Sequence, residues 1–68
     1  MPVPIATLLI RAAQVAMKHK NKVIAALNAL KRRGLQNATM EEFKDALVAE
    51  GYWDSIKSAF PGICEILF

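Results

Sequence analysis

The segment from Ile5 to Arg33 constrains the fold most, because its twenty-nine residues include no Gly, no Pro and no acidic side chain. Apolar residues recur in it every three or four positions, the spacing that places side chains on one face of a helix. Alanine, the best helix former, occurs seven times. The segment is therefore predicted to be helical.

A basic run in the middle of this segment decides between one helix and two. A continuous helix over residues 5–33 would be about 44 Å long, which is more than a small domain needs. Lys18, His19, Lys20 and Lys22 would repel one another when wound together, and Asn21 is suited to cap a new start. The sequence favours two helices, residues 5–18 and 21–33, with a continuous helix over 5–33 as the variant.

Two further helices are predicted after Gly34, which is expected to end the second. Thr39 followed three residues later by Glu42 has the pattern of a capping box, so a third helix should cover 40–50 and stop at Gly51.

The fourth helix is predicted over residues 53–60. Trp53, Ile56 and Phe60 would share one of its faces. Asp54 or Ser55 is expected to cap its start.

The last six residues, 63–68, are apolar except for one Glu. Exposed, they would promote aggregation, so they are expected to pack into the core or an interface, as a helical turn or an extended arm. The chain as a whole is predicted to be one all-α domain over residues 1–68, a compact bundle of four short helices.

Catalytic and metal-binding groups are scarce in this sequence. Cys64 is the only thiol and His19 the only imidazole, which excludes an intramolecular disulfide and a structural zinc site. No phosphate-binding Gly loop or nucleotide fingerprint is present. We expect a protein that acts by binding, with no catalysis and with no metal or cofactor.

Charge is divided unevenly along the chain. Residues 1–36 carry seven cations and no acid, whereas residues 37–68 carry two lysines and six acids, so +7 and −4 make the net charge of +3. The basic half is expected to attract an anionic partner. The alternative is that the two halves attract each other within the fold.

Eight residues are the candidates for binding an anionic partner or a membrane. Trp53 would suit the depth of a bilayer interface, although the pattern favours a core aromatic of a small bundle. The basic triplet at 31–33 also has a structural explanation, as cations at a helix C-terminus. The candidates are Arg11, Lys18, Lys20, Lys22, Lys31, Arg32, Arg33 and Trp53.

Residues 16–29, AMKHKNKVIAALNA, carry a resemblance to a known family. A Lys-x-Lys motif followed by an apolar helix ending in Leu-Asn-Ala resembles the central stretch of leaderless bacteriocins of the lacticin Q and epidermicin type. The resemblance implies a short, cationic, saposin-like helical bundle that is secreted without a leader and acts on bacterial membranes. The chain departs from that family at Met17, where the family has Trp, in its acidic second half and in its greater length.

The start of the sequence shows no signal peptide. It lacks a basic n-region, and the charge-free runs 1–10 and 12–17 are too short to span a bilayer. We expect the protein to be cytoplasmic or to be secreted without a leader.

Three functional hypotheses follow from the sequence. The first is a membrane-active, bacteriocin-like antimicrobial that binds anionic bilayers. The second is a protein-binding regulator or inhibitor, or a small homo-oligomer, favoured by the high apolar content. The third is a nucleic-acid-binding protein, in which the cations contact phosphates.

Overall fold

Five helices and two very short strands make up the fold in a computed structural model that describes residues 1–15 and 18–68. The prediction of a compact all-α bundle is confirmed, and the apolar C-terminal segment forms an additional short helix. The helices are α1 (Ile5–Ala13), α2 (Lys20–Arg32), α3 (Met40–Ala49), α4 (Trp53–Ala59) and α5 (Ile63–Leu67), and the strands are β1 (Val3–Pro4) and β2 (Asn37–Ala38).

The two strands fix the direction of α1 relative to α2. β1 pairs with β2 in antiparallel register, with Val3 opposite Ala38. The Ile5 N–H donates to the Gln36 carbonyl at 2.8 Å. The start of α1 is therefore held beside the chain that leaves α2, and the two helices run in opposite directions.

This arrangement confirms two helices rather than one in residues 5–33. The molecule measures 28 Å along its longest axis, whereas a continuous helix over that segment would be about 44 Å long. The variant with one long helix is therefore wrong, because α1 ends at Ala13 and α2 begins only at Lys20.

α1 is shorter than the predicted helix 5–18. The Val15 N–H donates to the Ala12 carbonyl at 3.2 Å, a three-residue spacing that tightens the chain out of the α-helix. The part of the prediction that falls on residues 16–17 lies outside the described residues. At the start of α2 the capping position belongs to His19, and Asn21 lies inside the helix, so the predicted Asn21 cap is wrong.

Schellman motifs end α2 and α3, as their glycines predicted. At the first, Gly34 has a φ of +86°, its N–H donates to the Lys31 carbonyl at 3.0 Å, and the Leu35 N–H donates to the Leu30 carbonyl at 3.3 Å. The same pair of bonds closes α3 at Gly51, whose φ is +78°. Residues with a side chain rarely adopt this left-handed backbone, so glycine is the residue that lets the chain reverse here.

The capping box at the start of α3 is confirmed. The Glu42 N–H donates to Thr39 Oγ1 at 3.2 Å, and the Thr39 N–H donates to Glu42 Oε1 at 2.9 Å. Two backbone donors at the helix N-terminus are thereby satisfied without water.

The predicted caps of α4 are wrong. Tyr52 occupies its capping position, and no side chain accepts a bond from the first turn. Ser55 instead donates its hydroxyl proton to the Tyr52 carbonyl at 3.2 Å. A Tyr side chain cannot reach the first-turn N–H groups, so this short helix depends on packing for its position.

The core is entirely apolar over the described residues, and every helix contributes to it. α5 packs into it through Ile63, Cys64 and Leu67, so the apolar C-terminal segment is helical and partly buried, with Ile66 49% exposed. The rings of Phe43 and Phe68 meet at 5.8 Å between centroids, a favourable aromatic separation. The largest fully buried side chains are Leu8, Val23, Leu27, Leu30, Phe43, Leu47, Ile56, Ile63 and Leu67.

Replacing Thr39 tests the capping box. We expect Thr39→Ala to lower the free energy of unfolding by about 1 kcal/mol, because both reciprocal bonds are lost. Urea denaturation followed by circular dichroism measures the change. Thr7→Ala is the matched control, since Thr7 lies within α1 and caps no helix; an equal loss in both variants would contradict the role of the cap.

Candidate functional site

The outer side of α1 is apolar and exposed. Ala6, Ile10 and Ala13 follow one another at helical spacing, and all three are exposed. Ile10 stands out, with 61% of its surface accessible. The opposite side of the same helix is buried, so α1 presents an apolar stripe to solvent as well as to the core.

Two lysines of α2, one near each end of that helix, flank the apolar stripe of α1. Lys31 lies beside α1, since it lines a shallow cavity of about 260 Å³ together with Ile5, Ala6 and Leu9. Lys20 is eleven residues earlier on the same side of α2, about 17 Å away along the helix. Because the two helices run in opposite directions, Lys20 lies toward the far end of α1.

We call this surface the α1–α2 face, and it comprises Ala6, Leu9, Ile10 and Ala13 of α1 with Lys20, Ile24 and Lys31 of α2. Both helices belong to residues 1–36, which contain no acidic side chain. The face therefore combines accessible hydrocarbon with positive charge and supplies no carboxylate of its own.

Ion pairs neutralise little of the basic half of the chain within the described residues. Across residues 1–15 and 18–68, one such pair is formed, between Arg32 and Glu50 at 3.6 Å. The Arg32 side chain is 69% exposed, so the pair adds little stability. Lys18, in the turn before α2, and Arg33, at its end, are exposed. These cations remain accessible to an external anion.

Two of the predicted binding residues also make contacts within the fold. Arg11 Nη1 donates to the carbonyl of Leu67 at 2.6 Å, which places a cation at the negative end of α5. Lys22 Nζ donates to Ser55 Oγ at 3.2 Å and lies 5.9 Å from the centroid of the Tyr52 ring. Both cations are half-buried and join the basic half to the helices that follow it.

Trp53 belongs to a different feature from the α1–α2 face. It lines a cavity of about 300 Å³ among α3, α4 and α5. Lys44 Nζ lies 5.8 Å from the centroid of its indole ring. Trp53 was predicted to act with the cations of the first half, whereas its cationic neighbour, Lys44, comes from the second. In the sequence, the four-residue spacing of Trp53 and Lys57 along α4 was the one sign of this cavity. Nothing in the sequence indicated that Lys44 of α3 would join them.

The only thiol and the only imidazole of the chain lie on different elements. Cys64 is a buried residue of α5, and burial raises the pKa of its thiol, an effect that Lys44 partly opposes and Glu65 reinforces. His19 precedes α2, and its Nδ1 finds no hydrogen-bond partner in the described part of the chain. Within that same part, no group of three or more His, Cys, Asp or Glu side chains is arranged to hold a metal ion.

Comparison with protein-family models, with curated proteins and with solved structures finds no significant match. The resemblance of residues 16–29 to leaderless bacteriocins therefore stays a prediction, and its first two residues lie outside the described ones. Over residues 1–15 and 18–68, no helix has the length and hydropathy needed to cross a bilayer.

The free energy of unfolding can distinguish a cation that supports the fold from one that is only exposed to solvent. We expect Arg11→Met to lower the free energy of unfolding by about 1–2 kcal/mol, since the Leu67 carbonyl loses a charged donor. Arg33→Met, which removes an exposed cation, should change it by less than about 0.5 kcal/mol. Urea denaturation of the two variants makes the comparison, and similar losses would show that Arg11 is as dispensable as Arg33.

Proposed function

We propose that the protein binds anionic membrane surfaces through the α1–α2 face and acts there as a membrane-active antimicrobial of the bacteriocin kind. The observation that carries the proposal is Ile10, an exposed aliphatic side chain on an acid-free surface flanked by Lys20 and Lys31. Peripheral membrane binding generally needs such a combination, because neither a small apolar area nor a few cations is sufficient alone.

The electrostatic and the apolar contributions to membrane binding are similar in size. Each Lys or Arg near an anionic bilayer adds about 1 kcal/mol of attraction. Burying the accessible part of an Ile side chain adds about 1–2 kcal/mol. Lys20 and Lys31 with Ile10 thus supply about 3–4 kcal/mol, which is enough for weak, reversible adsorption at low salt.

The division of charge also orients the molecule. The basic half would turn toward an anionic surface and the acidic half away from it. Charges more than about 8 Å apart are screened at physiological salt, so the cations nearest the bilayer dominate. The α1–α2 face would then meet the headgroups with the stripe of α1 lying along the interface.

Ile10 separates membrane binding from nucleic-acid binding. Nucleic acid would use the same cations through phosphate contacts, whose affinity depends on charge and salt. It would gain nothing from an aliphatic side chain. A protein partner would use the apolar stripe but would not require anionic lipid.

The first test changes only the apolar contribution. We expect Ile10→Gln to weaken binding to phosphatidylglycerol vesicles about fivefold to tenfold, because less hydrocarbon leaves water. Vesicle co-sedimentation at low salt measures it. Val48→Gln is the matched control, since Val48 is 58% exposed and lies on α3. Equal losses in both variants, or none in either, would contradict insertion of the α1–α2 face.

The second test changes only the charge. The triple variant Lys18→Gln, Lys20→Gln and Lys31→Gln should lose most binding to phosphatidylglycerol vesicles and most of the dye leakage that the wild type causes. Phosphatidylcholine vesicles should bind neither protein well, and added salt should release the wild type.

A DNA titration with the same proteins decides between the functions. If Ile10→Gln binds DNA as the wild type does and no vesicle leaks, the cations serve nucleic acid and the membrane proposal is wrong. If the wild type binds and permeabilises anionic vesicles, inhibition of bacterial growth is the expected consequence.

A further inference from the structure

The cavity among α3, α4 and α5 has the composition of a small ligand site. We call it the α3–α5 groove and define it by Met40, Lys44, Trp53, Lys57, Phe60 and Ile63. Four of these six side chains are apolar, and two of the four are aromatic. Its volume of about 300 Å³ lies at the lower end of the range for small-molecule sites.

Charge selects the class of ligand. Lys44 and Lys57 both line the groove, and Glu65 is the one carboxylate beside them, so the balance is positive. Lys44 is held near the ring of Trp53, where its ammonium group meets the apolar wall. A ligand that fits must therefore join a short apolar body to an anionic end.

We propose that the α3–α5 groove binds a medium-chain fatty acid, with its alkyl chain along Trp53 and Phe60 and its carboxylate beside Lys44 and Lys57. The small volume admits a single chain and excludes a lipid with two long chains. The site is separate from the α1–α2 face, so it would be occupied by a monomeric amphiphile in solution and does not depend on membrane binding.

Two built-in reporters follow occupancy of the groove. Trp53 is the only Trp in the chain, so the tryptophan fluorescence of the protein comes from a residue that lines this groove. Cys64 also lines the groove. Since burial raises the pKa of its thiol, the thiol stays protonated at neutral pH and reacts slowly. A bound alkyl chain should slow the reaction of Cys64 with a thiol reagent further.

The experiment titrates the protein with octanoate, decanoate and 1-octanol below their micelle or solubility limits. We expect the two carboxylates to shift Trp53 emission and to protect Cys64 from a thiol reagent over the same concentration range. Decanoate should bind up to about fifteenfold more tightly than octanoate, since each added methylene contributes up to about fourfold. The neutral 1-octanol should bind more weakly than octanoate.

A lysine substitution locates the carboxylate. Lys57→Gln should weaken octanoate binding about twofold to fivefold and leave 1-octanol binding unchanged. Lys31→Gln, which removes a cation outside the groove, is the control and should alter neither.

Several outcomes would overturn the proposal. Equal affinity of the wild type for octanoate and 1-octanol would show that the groove does not select an anion. If decanoate changes neither Trp53 emission nor Cys64 reactivity, the groove binds no alkyl chain. Trp53 emission that changes with protein concentration alone would assign the groove to a second copy of the chain.

Discussion

The buried side of α2 is the constraint on which the rest of the structure depends. Val23, Leu27 and Leu30 are almost completely withdrawn from solvent, and α2 packs against α1 on one side and α3 on another. A helix that is covered along its middle can present its cations mainly at its ends. The apolar core therefore determines where on α2 positive charge is available.

Much of the fold follows from local chemistry and could be read from the sequence. Gly34 and Gly51 end helices because they adopt a left-handed backbone, and Thr39 with Glu42 begins one because their side chains satisfy backbone donors. The early end of α1 had no such local signal. The chain leaves the α-helix there through the three-residue bond from Val15 to Ala12. The pairing of β1 with β2 also had no local signal, because strands of two residues are too short to show any periodicity.

The candidate site was only partly predictable for the same reason. Sequence identifies cations, but which of them face solvent depends on distant partners. Arg11 meets Leu67, 56 residues away along the chain, and Lys22 meets Ser55, 33 residues away. Ile10 lay within the helical segment, yet its exposure required knowing which side of α1 meets the core. The α3–α5 groove involves three helices, so the spacing of Trp53 and Lys57 along α4 indicates two of its residues but not the helices that complete it.

The bond between Arg11 and Leu67 has a consequence for the order in which the molecule assembles. α1 and α2 are consecutive helices, so packing them together joins residues that are close along the chain. Docking of α5 onto α1 closes nearly the whole chain and has the larger entropic cost. We therefore expect α5 to join last. Before α5 docks, the groove lacks the side of its lining that Ile63 and Cys64 form. The groove therefore exists only in the completed fold and in no partly folded intermediate.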